Sequence, residues 1–281
     1  MIYLSRERSG YMNLKFMVND YILIWNLLFK PSISTSINSY KQKLWVTYNK
    51  EYNETYQDNY KILKDSKNFI PDDDTIYNIM MDYDLYKTIR IKADKYRLAL
   101  VKVWDKYKKN TIKELKDILR IDLGTYNILV VDPRLNTTYS YNKTIVWGFK
   151  EGEITTLVDL VFNIVKIEFK DYQNKYKDIV RAVLELAIIN EYATRIDNKS
   201  HYLEGDNSLN FLKRQIYPYF LMYLGVKKEE MTDFMNRDKI GFDINNYTYE
   251  RQLKKVDLYT FIKFCIDNQK YIVKINELEI I

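Results

Sequence analysis

Tyr126-Asn127-Ile128-Leu129-Val130-Val131, stopped by Asp132-Pro133, interrupts a chain that otherwise reads as helix. A short apolar run rich in β-branched residues and closed by a proline reads as a buried strand. After a polar loop over residues 134–142, Lys143-Thr144-Ile145-Val146-Trp147-Gly148 repeats the pattern. Two such runs predict a small sheet. Glu151-Gly152-Glu153 then leads into Ile154–Phe169, where Leu157, Leu160, Val161, Ile164 and Val165 recur every three or four residues, the spacing of one helix face. A second helix is expected over Ile179–Ile196, on Leu184, Leu186, Ile188 and Ile189; it carries Asn190-Glu191.

Outward from this centre, both flanks read as helix. Upstream, a strongly apolar helix spans Asn13–Phe29 and ends at Lys30-Pro31, because proline disfavours helical geometry in the residue before it. Ser34–Leu63 places Ile37, Leu44, Trp45, Tyr48, Tyr52 and Tyr56 on one helix face. Pro71-Asp72-Asp73-Asp74-Thr75 opens another helix, its carboxylates placed to meet free N–H groups rather than spaced as a calcium loop. Helices Ile89–Lys108 and Thr111–Leu119 complete the first half. Downstream come Ser208–Leu224 with a kink at Pro218, Lys228–Asn236, Tyr247–Asn268 and a closing strand Tyr271–Ile275. The expected fold is therefore α+β, predominantly α-helical with a small β-sheet. The texture changes at Asp122-Leu123-Gly124. Residues 1–121 thus read as a helical N-terminal region and 122–281 as a small sheet plus helices, either as separate regions or as one continuous domain. Trp25, Leu28, Trp147, Leu160, Val161, Leu186, Ile189 and Phe220 are the expected core.

The order strand, loop, strand, helix, short spacer and helix with Asn190-Glu191 resembles the core of the gluzincin (H-E-x-x-H) metallopeptidases, over roughly residues 125 to 225. In that family the first helix offers two histidines one turn apart to a zinc ion. Its glutamate activates the bound water, and the second helix supplies a further glutamate ligand. At the corresponding place this chain reads Val158-Asp159-Leu160-Val161-Phe162. The resemblance implies that Val158 and Phe162 stand at the histidine positions, Asp159 at the catalytic glutamate and Glu191 at the third ligand. Isopropyl and phenyl groups have no lone pair to give, so the site is degenerate. No metal and no cofactor are expected.

Composition excludes further chemistry. Cys265 and His201 are the only cysteine and histidine among 281 residues. No intramolecular disulfide or cysteine-cluster metal site can form. Cys265 lies in an apolar run and reads as core; His201 closes the polar stretch Asp197–His201 and reads as surface loop. Neither belongs to a recognisable nucleophile–base pair. No P-loop, dinucleotide fingerprint or hydrolase elbow occurs. Asp159, Glu185 and Glu191 leave an acid–base enzyme working with carboxylates alone as one alternative, which needs two of them facing a substrate across a cleft.

Net charge is +6, from 44 basic and 38 acidic residues. That is mild for a nucleic-acid binder. The stretch Lys102-Val103-Trp104-Asp105-Lys106-Tyr107-Lys108-Lys109 interleaves cations with aromatics. Lys102, Lys106, Lys108 and Lys109 are therefore candidate phosphate contacts, against the plainer reading of a solvated helix face with Val103, Trp104 and Tyr107 turned inward. The 27 tyrosines follow the abundance of Asn, Ile and Lys and are not a binding signal. The start, at Met1 or Met12, carries no apolar signal core, and Tyr21–Phe29 is too short to span a bilayer. The expectation is a cytoplasmic, non-catalytic binding or regulatory protein whose partner is a peptide or protein, with nucleic acid the alternative.

Overall fold

Both β-rich runs form strands, and they pair with each other. The structure, a computed structural model, describes residues 12–29, 34–40, 42–43, 84–198, 200–237 and 249–272. Among these it is α+β and predominantly helical, with one four-stranded mixed sheet. The strands are β1 (Asn13–Met17), β2 (Thr125–Val130), β3 (Thr138–Tyr141) and β4 (Thr144–Trp147). Their order is β1-β2-β4-β3. The β1/β2 and β2/β4 pairs are parallel and the β3/β4 pair is antiparallel. Every residue of β4 is buried, as expected of an interior strand without polar alternation.

The principal helices are α1 (Asp20–Phe29), α2 (Asp84–Leu119), α3 (Glu153–Glu168) and α4 (Lys170–Leu184). From α4 the chain passes without a break through a π-helix, Glu185–Tyr192, into α5 (Ala193–Asp197). Then come α6 (Asn210–Leu224), α7 (Lys228–Arg237), α8 (Glu250–Leu253), α9 (Leu258–Asp267) and α10 (Gln269–Ile272). None of the described helices is long and apolar enough to cross a membrane.

Several elements differ from the sequence reading, each for a local reason. The helix expected over Asn13–Phe29 begins only at Asp20, and residues 13–17 are strand β1 instead. Asn19 divides the two: its Oδ1 accepts the Ile22 N–H at 3.0 Å, a helix cap. Asn13 N–H meanwhile donates to Gly124 O at the foot of β2. The polar loop contains β3, which pairs with β4 through a two-residue turn where Asn142 takes a left-handed φ of 47°. Ile89–Lys108 and Thr111–Leu119 are one helix, because neither Asn110 nor Thr111 breaks a helix as Gly or Pro would. Tyr247–Asn268 is broken between Leu253 and Leu258, where Asp257 caps α9 by accepting the Thr260 N–H at 2.8 Å. The start of the expected strand Tyr271–Ile275 is helical, and residues 273–275 lie outside the described residues. So do residues 44–63, the Pro71–Thr75 helix start, Met1, Lys30-Pro31 and the side chain of Leu28.

The described residues divide into two compact units. One draws on 12–108 and 123–157, the other on 109–122 and from 158 onward. In the first, Ile22, Leu23, Ile24, Trp25 and Leu27 of α1 are all buried. They share a core with Tyr86, Ile89 and Ala93 of α2, with Leu129 and Val146 of the sheet, and with Val131 just after β2. The α2 spacing 86, 89, 93, 96, 100, 104 is the helical period written in buried residues. In the second unit the buried residues include Leu160, Val161, Ile164, Val165, Leu186 and Phe220; Ile189 is only half-buried. There Phe261 packs 4.8 Å from Tyr223 and 5.8 Å from Phe220, ring centroid to centroid. Arg120, left-handed at φ 54°, closes α2 and donates to Val256 O at 3.0 Å and Tyr223 O at 2.9 Å.

Candidate functional site

The second unit contains the four residues singled out by the metallopeptidase resemblance. Val158 and Phe162 lie four residues apart on α3, hence on one face; Val158 is buried and Phe162 half-buried. Asp159 is half-buried, and its carbonyl accepts the Asn163 amide at 2.9 Å. Glu191 lies in the π-helix, where Arg195 Nε holds its carboxylate at 2.6 Å. Arg195 also binds Glu114 at 3.0 Å, and Asp117. Burial opposes the Arg195 charge, but the hydrogen bonds from Asp117, Glu191 and Glu114 outweigh it and raise its pKa above the usual value. Burial likewise pushes the Glu114 pKa up, yet Arg195 and Lys113 hold it below the ordinary glutamate range. The quartet does not fit a zinc ion: two of its members cannot coordinate and the Glu191 carboxylate is held by a guanidinium. Among the described residues no three of His, Cys, Asp and Glu converge in a way that could hold a metal ion.

At the start of the π-helix lies an ionic cluster built on a buried Glu–Lys pair. Glu185, buried at the start of the π-helix, accepts Arg181 Nε at 3.1 Å on one oxygen. Its other oxygen takes Lys213 Nζ and the Asp206 N–H, each at 3.0 Å. Lys213 is fully buried, and it donates also to Leu203 O at 3.2 Å and Glu204 O at 2.8 Å. Arg181 completes the ring with Asp206 at 2.9 Å. Gly205, at φ 102°, packs so tightly on the Glu185 carboxylate that a β-carbon would collide with it. The Asn190 side chain donates to Glu185 O at 2.9 Å, occupying a carbonyl of the helical ladder where the chain widens to π geometry. Glu185 and Lys213 are remote in sequence, and only a buried charge on each would have hinted that they meet.

In the first unit, Lys102 and Lys106 are exposed on α2 and Lys108 is half-buried; Lys109, exposed, belongs to the part of the helix assigned to the second unit. Lys106 is bound to Glu153 at 2.8 Å. Trp104 is buried and so cannot stack on a base, while Val103 and Tyr107 are half-buried. A cleft of about 300 Å³ opens beside these lysines, walled by Tyr96, Leu100 and Val103 and rimmed by Lys102, Lys106 and Lys150. Tyr96 is anchored in that wall, donating to Phe149 O and accepting Trp147 Nε1 at 3.0 Å. Burial pushes the Tyr96 phenol up to about 12, the Trp147 hydrogen bond opposing it.

The remaining sequence candidates are plain. Cys265 is buried, and burial pushes its thiol pKa up, away from nucleophilic use. His201 is exposed, with Nδ1 accepting the Leu203 N–H at 3.3 Å. What the fold and these sites define is an α+β helical protein with an arginine-centred carboxylate cluster, a buried Glu–Lys pair and a lysine-rimmed cleft. No family model, no curated protein and no solved structure matches the chain.

Proposed function

We propose that this chain is a non-catalytic binding or regulatory protein on a degenerate metallopeptidase-like scaffold. The observation that carries this reading is the engagement of Glu191 by Arg195, which also binds Glu114 and Asp117. A carboxylate held in that way is neutralised in place and is not presented to a metal or a substrate. The order β2, β3, β4, α3, α4 and the Asn190-Glu191 helix supports the ancestry, and the apolar Val158 and Phe162 support the loss of activity. The Glu185 carboxylate is taken up by Lys213, Arg181 and a backbone N–H, which argues against a carboxylate-only enzyme at this cluster. Residence in the cytoplasm and a peptide or protein partner belong to the same reading. Nucleic-acid binding through Lys102, Lys106, Lys108 and Lys109 is disfavoured by the burial of Trp104.

Elemental analysis of purified protein tests the proposal: stoichiometric zinc would overturn it. The complementary variant combines Val158→His, Asp159→Glu and Phe162→His with Arg195→Met, which frees Glu191. Tight zinc uptake by this variant, absent from the parent chain, is the outcome expected of the scaffold. A folded variant that takes up no zinc removes the ancestry.

A further inference from the structure

The first unit holds a cleft that the degenerate site does not use. It lies between α2 and the segment entering α3, and its volume of about 300 Å³ stands at the small end of the range for ligand pockets, room for roughly ten to fifteen heavy atoms. Its walls are the Tyr96 ring, Ala99, Leu100 and Val103, so the interior is apolar. Charge is confined to the rim, with three lysines (Lys102, Lys106, Lys150) against two glutamates (Glu151, Glu153). The Lys106–Glu153 pair at 2.8 Å cancels itself. Lys102 and Lys150 have no carboxylate partner among the described residues, so the rim carries one net positive charge. Apolar walls with a cationic rim are complementary to an apolar body carrying a single anionic head.

We propose that this cleft binds a small amphiphilic monoanion, a medium-chain or aryl-alkyl carboxylate, with its hydrocarbon against Leu100 and Val103 and its carboxylate at Lys102 and Lys150. The proposal rests on the reading of the chain as a binding protein, and not on the ancestry of the scaffold. A carboxylate at exposed lysines is weakly held alone, since water and salt screen it; the apolar walls supply the rest.

Isothermal titration calorimetry with decanoate, below its micelle-forming concentration, tests this on the full chain. Expected is saturable binding at one site that weakens as salt is raised, with acetate and decyltrimethylammonium failing to bind. Lys102→Glu with Lys150→Glu should weaken decanoate binding by about tenfold or more. Lys227→Glu with Lys255→Glu, an equal change of net charge at exposed positions outside the cleft lining, should leave it unchanged. Ala99→Trp, at an exposed helical position on the cleft wall, should block the cleft without disturbing the fold. No saturable binding overturns the proposal, as does equal binding of the cationic amphiphile or an equal loss in both lysine pairs. Zinc analysis is untouched by these outcomes, so failure here and failure of the functional reading are told apart.

Discussion

Lys213 is a fully buried ammonium group whose hydrogens all find acceptors: Glu185 Oε2, Leu203 O and Glu204 O. Complete pairing is what makes such burial tolerable, and removing one partner leaves the other charge desolvated. Lys213→Met should therefore cost about 3 kcal/mol, read as a lower urea midpoint. Glu185→Leu in the same chain should recover part of that loss, because a matched apolar pair leaves no stranded charge. A stability unchanged by Lys213→Met would contradict the network. Arg195 invites a test by pH. Glu114 has a pKa below its ordinary value in the folded chain, so the unfolded chain binds the proton first. The stabilisation is then present above the ordinary glutamate pKa and lost as pH falls through the folded value. Arg195→Met should flatten this acid limb, measured as urea stability across the acid range; an unaltered limb would show that the cluster contributes nothing.

Helix ends supply the predictions at the scale of the element. Helix α6 closes at Gly225, whose φ of 83° lies in the left-handed region, and its N–H returns to Met222 O at 3.0 Å. Gly225→Ala should destabilise the protein by about 1 kcal/mol, from backbone strain, with a β-carbon only 3.3 Å from Lys254 Cε. Asp257→Ala removes the α9 cap and should cost about 1 kcal/mol as well. Equilibrium unfolding checks both, and a neutral result for either would mean that its helix end is held by packing instead. The π-helix is a different kind of element, since its geometry goes with the Asn190 side chain bonding the Glu185 carbonyl. Helical periodicity in the sequence marked this segment as helix; it could not mark the widening, which depends on one amide choosing a backbone partner.

Across the whole molecule, alkaline pH tests how firmly the cores exclude charge. Burial raises the pKa of Tyr86, Tyr96, Tyr192 and Tyr223, and that of Tyr96 reaches about 12 against an ordinary 10.0. A phenol kept neutral by folding stabilises fully below the unfolded pKa and loses that contribution as pH rises through the folded one. Phenolate absorbance should therefore appear in two stages, exposed tyrosines first and the buried ones only as helical circular dichroism collapses. All 27 tyrosines ionising with the helices intact would refute that burial. The strands β2 and β4 and most helices were legible in the sequence because hydrophobic periodicity is a local property of the chain. That Val158 and Phe162 cannot ligate a metal was equally legible, since no folding can add a lone pair to either side chain. Three things were decided only in three dimensions. Residues 13–17 became a strand because Gly124 and β2 offered hydrogen-bond partners far along the chain. Glu185 met Lys213, and Arg195, already one turn from Glu191, reached Glu114 and Asp117 far back in the chain. The lysine-rimmed cleft joined α2 to the approach to α3. Each depends on distance and burial between segments remote in sequence, and those quantities exist only once the chain has folded.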